Sequence, residues 1–159
     1  MIKNVEKLFL KAINPWGQYA RLYETGDGFI FNGHWAVIKE VFDRYNLPYQ
    51  NFIINKLENR TVKTLFNEII EDSLKVFNDV QFSLSKQKRI SGKRKTVYYF
   101  DSKELQGILI LKIYADFLCV LCRSSPTLYI MKDGWETKAY FVWFEKNELI
   151  AICAGIPEN

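Results

Sequence analysis

GILILKIYADFLCVLCRSSPTLYIMKDGWETKAYFVWFEKNELIAICAGI, Gly107 to Ile156, changes its apolar period as it goes. Gly107 to Leu111 is an aliphatic run of strand length. Tyr114, Phe117, Leu118 and Leu121 then recur at helical spacing as far as Ser124, Ser125 and Pro126, which predicts a short helix from about Lys112. Leu128 to Met131, Ala139 to Phe144 and Leu149 to Ala154 predict three further strands. Asp133-Gly134 and the polar turn Glu145, Lys146, Asn147 punctuate them.

Just upstream, VQFSLS alternates, with Val80, Phe82 and Leu84 on one side and Gln81, Ser83 and Ser85 on the other. TVYYF is again rich in strand formers, so the two runs predict a hairpin with Ser91 and Gly92 near its tip. Between them lies KQKRISGKRK, in which Lys86, Lys88, Arg89, Lys93, Arg94 and Lys95 occur with no acid. The chain has 22 basic and 18 acidic residues, so these six leave 16 against 18 elsewhere. The basic character is concentrated at the projecting end of a β-ribbon. Such a concentration fits a contact with a polyanion, and it equally fits a solvated hairpin end that keeps a domain soluble.

Further upstream, Thr61 is placed to cap TVKTLFNEIIEDSLKVF. There Val62, Leu65, Phe66, Ile69, Ile70 and Leu74 form one apolar stripe, and Glu68, Glu71 and Asp72 lie on the other face. Asp43 to Asn55 has a proline, several asparagines and no helical period, and reads as a connection. The N-terminal third reads as β structure. Gly26, Asp27 and Gly28 separate two strand-like runs, and Asn32-Gly33 adds a second turn, so Phe29 to Phe31 and Trp35 to Lys39 become consecutive strands of a meander. The fold class is α+β in a single domain, residues 1–159. Both helices are expected on the same side of a mostly antiparallel sheet, because each has an apolar stripe to cover and such a sheet offers one apolar face.

Aromatic residues make up 16% of the chain and charged ones 25%, which supplies apolar area for a core and argues against long disorder. Lys3, Glu6, Lys7 and Lys11 interrupt the opening apolar run, so it does not read as a secretory signal. Lys112 and Asp116 break the longest apolar patch, so no membrane span is expected and a cytoplasmic location is. Cys119 and Cys122 have the spacing of a metal knuckle, yet a zinc site takes about four ligands. The chain adds only Cys153 and one histidine, His34, so the cysteines are expected to be reduced, metal-free core residues, with no cofactor. His34 has only Asp27 as a close acidic neighbour and reads as a turn residue. No glycine-rich phosphate loop is present. Asp101, Glu104, Asp116, Asp133, Glu136 and Glu145 are scattered. Trp16, Trp35, Trp135 and Trp143 sit where aromatic residues are more often core than stacking platforms. Nothing here demands an enzyme.

The order strand, helix and three strands, preceded by a hairpin, resembles the half-module of the bacterial sliding clamp, the DNA polymerase processivity factor. ILILKIYADFLCVL, TLYIM, KAYFVWF and ELIAICAGI occupy the corresponding places. TGDGFIFNGHWAV resembles that family's strand, turn and strand, with Asn32 where an aspartate is usual. The resemblance covers Val80 to Ile156 best. It implies a clamp-like fold, a non-enzymatic role in DNA replication or mobile-element biology, and a homo-oligomer, since a ring built from so short a chain needs several copies. Lys86, Lys88, Arg89, Lys93, Arg94 and Lys95 would then bind DNA phosphates without sequence choice. The alternative is a protein-interaction adaptor that takes a partner peptide at a sheet edge, its basic ribbon serving only solubility.

Overall fold

A computed structural model describes residues 2–15, 21–101 and 107–158; Trp16 and Glu104 lie outside them, as does the start of the first predicted strand run. Helix α1 (Ile2–Ile13) comes first. Val5, Phe9, Ala12 and Ile13, spaced as one helical stripe, are buried. The N-terminal third is therefore not all β; Glu6, Lys7 and Lys11, which argue against a signal sequence, lie exposed on the outer face of this helix. A meander follows, made of β1 (Leu22–Thr25), β2 (Phe29–Phe31) and β3 (Trp35–Ile38), as the glycine-rich turns predict. The segment expected to be a plain connection holds more structure: helix α2 (Lys39–Arg44), which buries Val41 and Phe42, a single 3-10 turn (Tyr49–Phe52), and strand β4 (Ile53–Leu57).

Helix α3 (Val62–Asp72) begins where predicted, with the Thr61 hydroxyl accepting from the Thr64 amide. It stops short of the predicted end. Ser73–Phe77 is strand β5, paired with a later strand, and Leu74, assigned to the helical stripe, is 62% exposed. The Ser73 hydroxyl donates to the Ile70 carbonyl at 3.1 Å, a local bond that competes with helix continuation.

Strand β6 (Ser85–Ile90) pairs with β7 (Lys93–Phe100), which pairs with β8 (Ile108–Leu111); β8 runs directly into helix α4 (Lys112–Cys122). Strands β9 (Thr127–Asp133), β10 (Glu136–Glu145), β11 (Glu148–Ala154) and β12 (Ile156–Pro157) complete the order. Of VQFSLS only the end joins the outgoing strand of the hairpin: Ser85 pairs with Tyr98 and the Leu84 carbonyl accepts from the Tyr99 amide at 3.0 Å. The Val80 amide instead bonds the Pro126 carbonyl, and Phe82 packs between Tyr98 and Phe141.

Eight strands form a mixed sheet in the order β4-β1-β2-β3-β11-β10-β9-β5, parallel only between β1 and β4. Four form an antiparallel sheet in the order β12-β8-β7-β6. A helix followed by a three-strand meander occurs twice, as α1 with β1–β3 and α4 with β9–β11. The two meanders join through the antiparallel pair β3–β11.

The helices do not share one side of the large sheet. Trp35, Val37, Phe141 and Trp143 join a cluster with Phe9, Phe42 and Phe117, from α1, α2 and α4. Their chain neighbours Ala36 and Val142 join Val62 and Ile69 of α3 in a second cluster. Successive strand residues point to opposite faces, so α3 covers the face opposite α4. The expectation failed because these central strands are apolar on both faces: Ala36, Val37, Val142 and Trp143 are all buried. Each face needs its own cover. Among the described residues no helix is long and apolar enough to cross a membrane.

Candidate nucleic-acid interface

Ser91 and Gly92 turn the ribbon with φ of 51° and 79°. Positive φ at both central residues matches the right-handed twist of a two-residue hairpin. The basic residues are the paired strands themselves rather than a loop beyond them. Lys86 opposes Val97, Lys88 opposes Lys95, Arg89 opposes Arg94 and Ile90 opposes Lys93. The pleat sorts them into two sets: Lys86, Lys88, Lys93 and Lys95 on one face, Arg89 and Arg94 on the other, beside Gln87 and Thr96.

The two sets have different surroundings. Glu158, just past β12, accepts from Lys86 at 3.1 Å and Lys88 at 2.9 Å. Lys86 Nζ also lies 4.2 Å from the centroid of the Tyr99 ring. Hydrogen bonds from Lys88 and Lys86 hold the Glu158 carboxyl below its ordinary range. Lys95 donates to the Pro15 carbonyl. Arg89 and Arg94 are exposed, and among the described residues no acid pairs with either. Like charges directly opposite one another destabilise a strand pair, and here two such pairs, Lys88 with Lys95 and Arg89 with Arg94, are consecutive in the ladder.

The fold adds cations that the sequence reading left out. Lys11, Lys95 and Lys112 line one cavity of about 400 Å³, between the end of α1, β7 and the start of α4. Lys7, Lys11 and Arg123 line another of about 660 Å³ between α1 and the end of α4. Lys112 and Arg123 bracket α4, whose 11 residues span about 16 Å at about 1.5 Å per residue. Lys112 donates to Asp116 at 2.5 Å and Tyr98 donates to the same carboxylate at 2.7 Å, a set that fixes the lysine and raises its pKa. Arg123, at a φ of 54°, donates to the Tyr45 hydroxyl at 2.9 Å. The spacing of Lys7 and Lys11, four apart on the polar side of a helical stripe, is the signal that would have found this face. The acids Glu68, Glu71 and Asp72 belong to α3, across the sheet from it.

The remaining candidates have local duties. Asp27 does not orient His34. Its carboxylate accepts from the Thr25 hydroxyl at 2.6 Å and from the backbone amides of Val62 at 3.1 Å and Lys63 at 3.0 Å. The first amides of α3 are thereby taken up. His34 stacks on Tyr114 with ring centroids 5.8 Å apart, and partial burial lowers its pKa. Glu145 forms a bidentate pair with Arg44 at 2.5 and 2.6 Å. Trp35 and Trp143 are core residues whose indole N–H groups donate to Ala12 and Ser124 carbonyls, whereas Trp135 is fully exposed. Among the described residues no group of three His, Cys, Asp or Glu side chains is arranged to hold a metal ion.

Cys122 and Cys153 are buried and Cys119 half-buried, all with free thiols. Burial pushes the Cys119 thiol up to about 11 and raises Cys122 and Cys153 as well. Alkylation at mildly alkaline pH is therefore expected to be slow in the folded protein and fast in denaturant. Cys122→Ala should cost on the order of 1 kcal/mol in a urea titration as a small core truncation. Rapid labelling of the native protein, or stoichiometric zinc on purification, would contradict this picture.

Comparison with known proteins matches this chain to no family model, no curated protein and no solved structure.

Proposed function

We propose that this chain is a non-enzymatic, sliding-clamp-like module that binds nucleic acid through phosphates, without sequence choice. The observation that carries the reading is the pair of consecutive like-charge rungs in the β6–β7 ribbon, one on each face, with Arg89 and Arg94 exposed and lacking an acid among the described residues. A strand pair that sets cation against cation is relieved by an external polyanion, which releases its counterions as it binds. Two features support the clamp comparison. The helix-and-meander unit occurs twice around β3–β11, and the paired helices α1 and α4 carry Lys7, Lys11, Lys112 and Arg123.

The test is anisotropy of a labelled DNA duplex of arbitrary sequence between about 50 and 200 mM salt. Wild type should lose affinity steeply as salt rises, and R89Q/R94Q should flatten the log–log slope by about 1.8, at about 0.9 per phosphate contact. Absence of binding at the low-salt end sinks the reading. A second reading, an adaptor that takes a peptide by strand addition, rests on β5. This edge strand leaves Leu74 62% and Val76 46% exposed. It gains if DNA binding is absent and L74D/V76D abolishes co-purification of a partner protein.

A further inference from the structure

Glu158 reaches across the four-stranded sheet to the outer strand. It leaves β12 with its amide donating to the Gly107 carbonyl at 2.8 Å, which anchors its backbone beside β8. Its carboxylate spans β7 to meet Lys86 and Lys88 on β6, passing the Tyr99 ring on which Lys86 lies. This one carboxylate takes two of the six ribbon cations, and the residue is fixed both at its backbone amide and at its carboxylate. We infer that Glu158 is an internal stand-in for a phosphate, occupying Lys86 and Lys88 and restraining the polyanion affinity of the ribbon.

The inference rests on the nucleic-acid reading above and specifies how that site is held in check. The geometry favours a competitor over a stabilising strut. Side chains of the three partners remain 24 to 41% exposed, and ion pairs that open to water contribute little to stability while still neutralising charge at contact distance. The division of labour along the ribbon follows. Arg89 and Arg94 provide standing affinity from one face. Lys86 and Lys88 engage on the other face only when an incoming phosphate displaces Glu158.

Glu158→Gln tests it on the full chain, with the same labelled duplex and salt range. E158Q should tighten binding roughly ten-fold at the low-salt end and steepen the slope by up to about 1.8, the worth of two phosphate contacts. Its thermal midpoint should stay close to wild type, since the pairs removed are partly open to water. The same substitution on a K86Q/K88Q background should add nothing, because the cations it would release are gone. An equal gain on both backgrounds would mean that Glu158 acts only as a general negative charge and would overturn the proposal. So would wild-type binding that R89Q/R94Q flattens and E158Q leaves unchanged, an outcome that keeps the nucleic-acid reading intact. No DNA binding by any variant removes both.

Discussion

Phe117→Ala is expected to lower the unfolding free energy by about 3–5 kcal/mol, the range for truncating a fully buried phenylalanine. Phe117 is wholly inaccessible and lies where the elements of the inner layer meet. Its ring is 5.9 Å from Phe9 of α1, 5.3 Å from Trp35 of β3 and 6.3 Å from Phe42 of α2. Truncation leaves a cavity bordered by rings held on three other elements, and large aromatic neighbours cannot collapse into it without moving their backbones. Urea unfolding measures the loss. Ile70→Ala at a position 48% exposed on α3 serves as the control and should change stability by no more than about 0.5 kcal/mol. A Phe117→Ala loss near the control value would mean the inner layer is not packed as described.

Asp27→Ala is the second large effect, expected at about 2 kcal/mol, the upper end for removing a helix cap. One carboxylate fastens the β1–β2 turn to the start of α3, through the Thr25 hydroxyl on one side and the Val62 and Lys63 amides on the other. Gly26 makes the approach close enough, since a Cβ there would lie 2.2 Å from the Glu58 carbonyl oxygen. Burial works against the charged form of Asp27, but the hydrogen bonds from Thr25, Lys63 and Val62 outweigh it and hold the carboxyl below its ordinary value of 3.8. A depressed folded-state pKa stabilises the fold above the unfolded value, and that contribution is lost as pH falls through the folded one. The stability gap between wild type and Asp27→Ala should therefore be full near neutrality and close progressively below about pH 3.8. A gap that does not narrow in acid would assign the effect to packing instead.

The candidate site was half legible. Lys86 to Lys95 stood out because its charge is contiguous in sequence and a strand–turn–strand pattern surrounds it. Lys7, Lys11, Lys112 and Arg123 did not, because they are separated by most of the chain and meet only when α1 packs against α4. The role of Glu158 was equally hidden. It depends on β12 adding to β8, which places a distant carboxylate over Lys86 and Lys88.

Local chemistry by itself determined the elements whose signals are short-range. The turns at Gly26 to Gly28, Asn32-Gly33 and Ser91-Gly92 followed from residues that tolerate positive φ, and the Thr61 cap and the α4 stripe from helical spacing. Tertiary structure decided where the competing periods gave way. Leu74 continues a helical stripe and also alternates within SLKVF, and pairing of β5 with β9 resolved it as strand. Val80 to Leu84 alternates like a strand, yet Phe82 is drawn between Tyr98 and Phe141 and the first backbone bond to β7 is the one the Leu84 carbonyl accepts from Tyr99. The sidedness of the helices was also a global outcome. An alternating pattern reports that a face is apolar without naming what will cover it, and strands apolar on both faces, such as Trp35–Ile38, require a layer on each side. Burial of both faces is a property of the assembled sheet, and that is why α3 and α4 part company across it.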